Sequence, residues 1–211
     1  MNNYTYWSIN GHDLEFLEDI HQYICDGRCV PSVTQVIKTK FKSKYDGVDK
    51  ATLQRASEKG TEIHSAIELY CKEGKESDLP EVRNFKFLQN AYKFEVVDNE
   101  VPVILFQDDE PICAGRLDLV LKMSITYDRG NSSHEAFGLG DIKRTSSLDK
   151  DYLALQLNLY RIAYQQCYGN KVEFLRGVHL RGGVRKFVNI PIKESLVWDL
   201  LKEWKEKKDE R

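Results

Sequence analysis

Asp141 and Lys143 stand two residues apart in Gly140-Asp141-Ile142-Lys143, at the end of a short apolar run. On a strand they share one face while Ile142 takes the other. A surface ion pair is the plain alternative. A second stretch, Ala114-Gly115-Arg116-Leu117-Asp118-Leu119-Val120, sets one acid in an apolar strand. Strand alternation places Asp118 with Ala114, Arg116 and Val120, opposite Leu117, Leu119 and Leu121. Desolvating an unpaired carboxylate is costly, so Asp118 calls for a cation, either Arg116 or a metal. Two acids from neighbouring strands make a hard oxygen site suited to Mg2+ or Mn2+, ions that also reach phosphates. Lys143 would then orient a water and stabilise the charge that builds up as a phosphodiester is hydrolysed.

Two helical patterns could complete such a site. Gly60, His64 and Glu68 recur at four-residue spacing and share a helix face. A glycine inside a helix costs ~1 kcal/mol relative to alanine and often permits close approach. A lone helical histidine is more often structural than a ligand. Gln156 and Tyr160 are also four apart, on a helix that follows the Asp-x-Lys strand. They could hold the carboxylates or the substrate backbone; the alternative is a helix packed through Tyr152, Leu155, Leu159 and Ile162 with its amide exposed. His21, Cys25 and Cys29 have helical metal spacing, but the hairpin signal Asp26-Gly27 places them on strands and a fourth ligand is missing, so no zinc site is expected.

These residues need scaffolding. Residues 1 to 30 read as a β-rich opening, with Cys25 paired to Arg28 across Asp26-Gly27. Ser32 and Gln35 form a capping box that starts a short helix. Lys38 to Asp49 is a basic connector carrying Lys38, Lys40, Lys42 and Lys44. Helices are expected over Ala51–Cys71 and Glu81–Phe94, and strands over Glu95–Phe106, Glu110–Ser124 and Ala136–Lys143. Asp108-Asp109 and the polar Tyr127 to His134 segment turn these strands, and Pro102 suits an edge. Next come a helix over Ser147–Tyr168 with Ser146 and Asp149 as capping box, and a hairpin, Val172–Leu180 and Val184–Ile190, around Arg181-Gly182-Gly183. A final helix starts at about Lys193, with a frayed tail from Lys205.

The 211 residues are 41% hydrophobic and 30% charged, ordinary for a globular chain. They suit one domain over 1–211, with 1–50 an N-terminal extension and 193–211 a C-terminal helix. No apolar run approaches the ~20 residues of a membrane span. Met1 to Trp7 lacks the charged and apolar regions of a secretion signal, so a cytoplasmic location is expected. Five scattered cysteines imply reduced thiols. The net charge of −2 gives no overall attraction to nucleic acid, so positive charge must be concentrated locally.

The order of these motifs resembles the PD-(D/E)xK nuclease superfamily, in particular its RecB-type branch, which includes phage exonucleases and the mitochondrial genome-maintenance exonuclease. The matching pieces are Gly60-Thr61-Glu62-Ile63-His64, Glu100 on the first strand, Gly115-Arg116-Leu117-Asp118, Asp141-Ile142-Lys143 and Gln156-Leu157-Asn158-Leu159-Tyr160. The opening from Tyr23 to Ile37 also looks like the exonucleases' N-terminal signature. The resemblance implies an α+β (α/β), restriction-endonuclease-like core: a central mixed β-sheet flanked by helices. It implies metal binding by His64, Asp118, Asp141 and the main-chain carbonyl of Ile142. Lys143 would be the catalytic lysine, supported by Glu100, Gln156 and Tyr160. Leu117 stands where the superfamily has proline, and Cys167 alone follows Cys113, so no iron–sulfur cluster is expected.

The expected activity is Mg2+- or Mn2+-dependent DNA hydrolysis in replication, recombination or repair, by an exonuclease rather than an endonuclease. A phage-encoded chain would act in the host cytoplasm. Arg116, Arg144 and the 38 to 44 lysines are the candidate contacts to single- or double-stranded DNA. A homo-oligomer, or a recombination or replication partner, stays open. Two alternatives are a catalytically silent nucleic-acid-binding or assembly subunit and a protein whose acids are structural ion pairs.

Overall fold

The computed structural model describes residues 4–41, 47–127 and 132–209. Lys42 and Lys44 of the basic connector, and residues 128–131 of the polar turn, lie outside the described residues.

The β-rich opening is an antiparallel sheet of four strands: β1 (Tyr4–Ile9), β2 (His12–Leu17), β3 (Gln22–Cys25) and β4 (Arg28–Val30), in that order. Asp26 (φ 49°) and Gly27 (φ 75°) form the tight turn that pairs Cys25 with Arg28, as their sequence implies. Asn10 (φ 50°) and Gly11 (φ 84°) make the equivalent turn between β1 and β2. Ser32 and Gln35 form the expected reciprocal capping box of α1 (Val33–Lys38).

Next comes α2 (Lys50–Glu73), capped by Asp49 and ended by left-handed Gly74, then α3 (Pro80–Tyr92). The second sheet runs in the order β5 (Glu95–Gln107), β6 (Glu110–Tyr127), β7 (Ser132–Lys143), β8 (Phe174–Arg181) and β9 (Val184–Ile190). Its neighbours are antiparallel except β7 and β8, which α4 (Lys150–Tyr168) connects in parallel. The chain is thus a mixed α+β protein, and Pro102 lies on the outer strand β5, where a missing N–H is tolerated.

The two faces of this sheet are filled by different helices. Leu153 and Leu157 of α4 share a core with Val120, Leu139 and Leu175. Ile63 and Ile67 of α2 with Val82 and Phe85 of α3 cluster with Leu119, Leu121 and Val178. The α4 core also takes in Leu14, Cys25 and Val36, which ties the first sheet to the second. No helix among the described residues is long and apolar enough to cross a membrane.

Several boundaries differ from the sequence expectation. The helix expected from Ser147 starts at Lys150, because the Asp149 side chain accepts the Tyr152 N–H and becomes the cap in place of Ser146. The tail expected to fray from Lys205 continues α5 (Ser195–Asp209). Lys205 donates to Gln107 Oε1 and Lys207 to the Thr39 carbonyl, which holds it against the body.

Candidate metal centre

The last β6–β7 pair is Leu119 with Gly140, one step from Asp118 and Asp141. There the ladder gives way to a side-chain bond: the Ile142 N–H donates to Asp118 Oδ2 at 2.6 Å. On the other flank, Asn99 pairs with Leu119 and Val101 with Leu117, so Glu100 stands across from Asp118. Glu100 is left-handed (φ 51°), a conformation that costs a non-glycine residue roughly 1–2 kcal/mol. Its Oε1 lies 3.5 Å from His64 Nδ1 and its Oε2 3.0 Å from Arg116 Nε. His64 reaches in from α2, with Nδ1 3.8 Å from Asp118 Oδ2 and Nε2 3.2 Å from the Ile142 carbonyl.

His64, Glu100 and Asp118 therefore each offer a ligand atom within 4.8 Å of the others. Of the expected metal set, His64, Asp118 and the Ile142 carbonyl come together. Glu100, assigned on sequence to a supporting role, joins that group. Asp141 lies deeper, 1% exposed, with Oδ2 2.5 Å from Lys143 Nζ. The shared face expected of Asp141 and Lys143 is thus realised as an ion pair between a buried carboxylate and a half-buried ammonium.

The charges are tightly coupled. Burial alone would lower the His64 pKa, but Asp118, then the hydrogen bond and charge of Glu100, then Asp141 lift it to about 9. Without a metal this favours an imidazolium that donates through Nε2 to the Ile142 carbonyl, and an ion would have to displace that proton before His64 could ligate it. Burial pushes Asp141 up against the pull of Lys143, and the nearby Asp118 pushes the same way. Burial would lower Lys143, but Asp141 and Asp118 more than offset it, so its ammonium is retained.

Gln156 and Tyr160 are both buried, against the alternative of an exposed amide. Burial and then Asp118 raise the Tyr160 phenol well above its ordinary range. A Cβ at Gly115 would stand 3.0 Å from Tyr160 Cε1 and 3.1 Å from its Oη, so this glycine is what lets the phenol approach β6. Gly60, His64, Glu68, Glu100, Asp118 and Tyr160 line one cleft of about 610 Å3.

Two basic residues behave differently from their expected roles. Arg116 pairs with Glu100 instead of Asp118 but still faces the cleft. Arg144, expected at a DNA backbone, instead meets Glu81 of α3 at 3.0 Å, and that carboxylate is 3% exposed. The Glu81 pKa is lowered: burial opposes this, and the Arg144 hydrogen bond prevails. Glu81 was not legible as a partner, because an acid in the first turn of a helix is ordinary. Glu68 and Lys72 also enter the cleft, and the sequence pointed to a shared face only for Glu68.

The zinc grouping of His21, Cys25 and Cys29 is not assembled: Cys25 is buried and Cys29 exposed. His12, Cys25 and Asp26 do cluster, but hydrogen bonds account for Asp26, whose oxygens take His12 Nδ1 at 2.7 Å and the Asp13 N–H at 2.8 Å. All five cysteines are free.

Whether the residues fit a divalent ion can be judged from their unmet valences. Among the described residues, Asp141 Oδ1 and Gln156 Oε1 are buried with no hydrogen-bond partner, and Asp141 Oδ2 has only its ion pair with Lys143. Buried polar atoms are nearly always satisfied. Unmet carboxylate valence beside a His–Glu–Asp group fits a hard cation with oxygen and imidazole donors.

No family model and no curated protein matches the sequence. One solved structure, "Crystal structure of SSO0001", aligns over 84% of this chain and 75% of its own, at 15% identity and a TM-score of 0.44. A likeness at that level carries no argument about fold or function.

Proposed function

We propose that this chain is a Mg2+- or Mn2+-dependent deoxyribonuclease of the PD-(D/E)xK type, with a restriction-endonuclease-like core, that hydrolyses DNA phosphodiester bonds from strand ends. The observation that carries the reading is the convergence of His64, Glu100, Asp118 and the Ile142 carbonyl beside the Asp141–Lys143 pair. These groups would hold the ion, which supplies a polarised phosphoryl oxygen and an acidified water. The chain contributes fixed geometry. The Ile142 N–H holds Asp118 in place. Lys143, kept protonated by Asp141 and Asp118, stabilises negative charge and is not a free base. Arg116 stands at the cleft wall to meet a phosphate. Action from ends suits a cleft of this size.

Digestion of end-labelled oligonucleotides, blocked at one end or the other, with Mn2+ and with EDTA, tests the reading. Stepwise, EDTA-sensitive shortening from the unblocked end is expected. Asp118→Ala and Lys143→Ala should each reduce it at least ~100-fold, the scale of losing one preorganised charge, while circular dichroism remains that of the folded chain. Wild-type activity in either purified variant, or indifference to EDTA, would overturn it.

A further inference from the structure

β7 ends at Lys143, where the chain leaves the sheet to reach α4. Its ladder with β8 ends at the same place: Asp141 pairs with Gly177 and Lys143 with His179. Paired residues of neighbouring strands point to the same face, so Asp141, Lys143, Gly177 and His179 stand together. That is the α4 face, since Leu175, two residues before Gly177, packs into the α4 core. The two β8 residues serve their neighbours differently. Gly177 puts no side chain beside Asp141, and Leu153 of α4 takes the space: a Cβ on Gly177 would stand 2.6 Å from Leu153 Cδ2. His179 stands beside Lys143, is 4% exposed, and donates through Nε2 to the Thr145 carbonyl at 2.7 Å. The strand that carries it lies inside the sheet, between β7 and β9.

The Thr145 bond falls two residues past Lys143, where the ladder no longer holds the backbone. The residue between them is fastened by the Arg144–Glu81 pair. Both residues after Lys143 are therefore tied down, one to α3 and one to β8. Lys143 needs that support. Its side chain is a flexible four-carbon stem, and its ammonium must stand where charge develops. A catalytic group misplaced by about 1 Å can cost ~100-fold in rate. Packing alone does not call for a histidine here. Thr145 is half-buried, and water could serve its carbonyl. An apolar side chain would fill the site without burying a polar ring beside an ammonium.

Resting on the nuclease reading, we infer that His179 is a positioning residue for the reaction: by holding the Thr145 carbonyl it fixes the exit of β7 and so aims the Lys143 ammonium at the phosphate being cut. It acts through Lys143 and touches neither ion nor substrate. Its loss is read in turnover and not in binding.

Three variants separate hydrogen-bond reach from volume. His179→Gln puts an amide N–H where Nε2 stands, His179→Asn is too short to reach the Thr145 carbonyl, and His179→Phe keeps a ring without a donor. Each is assayed on an end-labelled oligonucleotide with Mn2+. His179→Asn and His179→Phe should each lower kcat at least about tenfold with KM within about twofold of wild type, and His179→Gln should keep kcat within about threefold. Mn2+ affinity by calorimetry should stay within about twofold in all three, because none removes a proposed ligand. Unchanged kcat in the folded His179→Asn and His179→Phe proteins, or an equal loss in His179→Gln, would overturn the inference and leave the nuclease reading standing. So would a fall in kcat matched by weaker substrate and Mn2+ binding, the mark of a merely structural residue. No cleavage by the wild-type protein would end both. If melting shows that His179→Phe is unfolded, His179→Asn against His179→Gln decides; if all three are unfolded, His179 belongs to the fold alone and the inference falls.

Discussion

His64 is surrounded by three acids, and that arrangement makes the metal-free protein sensitive to alkali. Its folded pKa, about 9, lies above the ordinary 6.5. A raised pKa means that the folded state holds the proton more tightly than the unfolded chain. The resulting stability is fully present below pH 6.5 and is lost as pH rises through about 9. Asp141 acts in the same direction at lower pH: burial raises its pKa from 3.8 to about 6, so its contribution is fully present below 3.8 and is lost as pH rises through about 6. In EDTA the melting temperature should fall between pH 6.5 and 9, and His64→Gln should flatten that slope. A flat profile in the parent protein would contradict the placement of these acids. Glu100 supports a second expectation at this scale. If it belongs to the proposed ligand group, Glu100→Gln should weaken Mn2+ binding by at least about tenfold in calorimetric titration. The sequence named Asp118, Asp141 and Lys143 because strand alternation alone sets their directions. It did not make Glu100 a ligand, because that depends on one left-handed residue across from Asp118.

Elements were legible wherever a local signal decided them. The Asp26-Gly27 turn, the Ser32–Gln35 box and the β5–β7 strands follow from neighbours in sequence. The start of α4 was misjudged because Ser146 and Asp149 both make good caps, and it is the Asp149 side chain that takes the Tyr152 N–H. Partners distant in sequence were not legible. Glu81 and Arg144 are 63 residues apart, and neither carries a pattern that names the other. Their pair joins the N-terminus of α3 to the chain just after Lys143. Removing one member leaves a buried charge unpaired, at a cost of ~3–5 kcal/mol in a dry interior. Arg144 is 30% exposed, so water screens part of this, and Arg144→Ala should cost about 2 kcal/mol in urea unfolding. Its affinity for DNA should stay within about twofold of wild type, by fluorescence anisotropy with Ca2+ in place of Mn2+. A large loss of affinity without loss of stability would return Arg144 to the DNA-contact role. Between β7 and β8 the packing is tighter still: a Cβ at Gly138 would fall 2.1 Å from the Phe174 ring. Gly138→Ala should therefore destabilise by ~1–3 kcal/mol, the range of overpacked cores.

The described residues join two sheets through one core and open a cleft where they meet, lined by Glu68, Glu100 and Asp118. With a net charge of −2 it has no overall pull on a polyanion. In the cleft Lys72 pairs with Glu68, Arg116 with Glu100, and His64 faces Asp118, so these acids use up the local positive charge and leave little to attract a phosphate. On the proposed reading an ion would be linked both to substrate binding and to folding, because a ligand that binds the folded state alone stabilises it by RT ln(1 + [L]/Kd), ~2.7 kcal/mol at a hundredfold excess over Kd. For a chain of 211 residues a change of that size corresponds to a rise in melting temperature of roughly 5–10 °C. Mn2+ added to the EDTA-treated protein should produce such a rise, saturating at the Kd found by calorimetry. Asp118→Ala should abolish it, and Arg144→Ala, though less stable, should keep it. The comparison separates a built ion site from diffuse screening of an acidic cleft. Screening would respond to NaCl as well, would not saturate at a calorimetric Kd, and would leave a substantial rise in Asp118→Ala. That outcome would make the acids structural and remove the basis for a metal-dependent reaction.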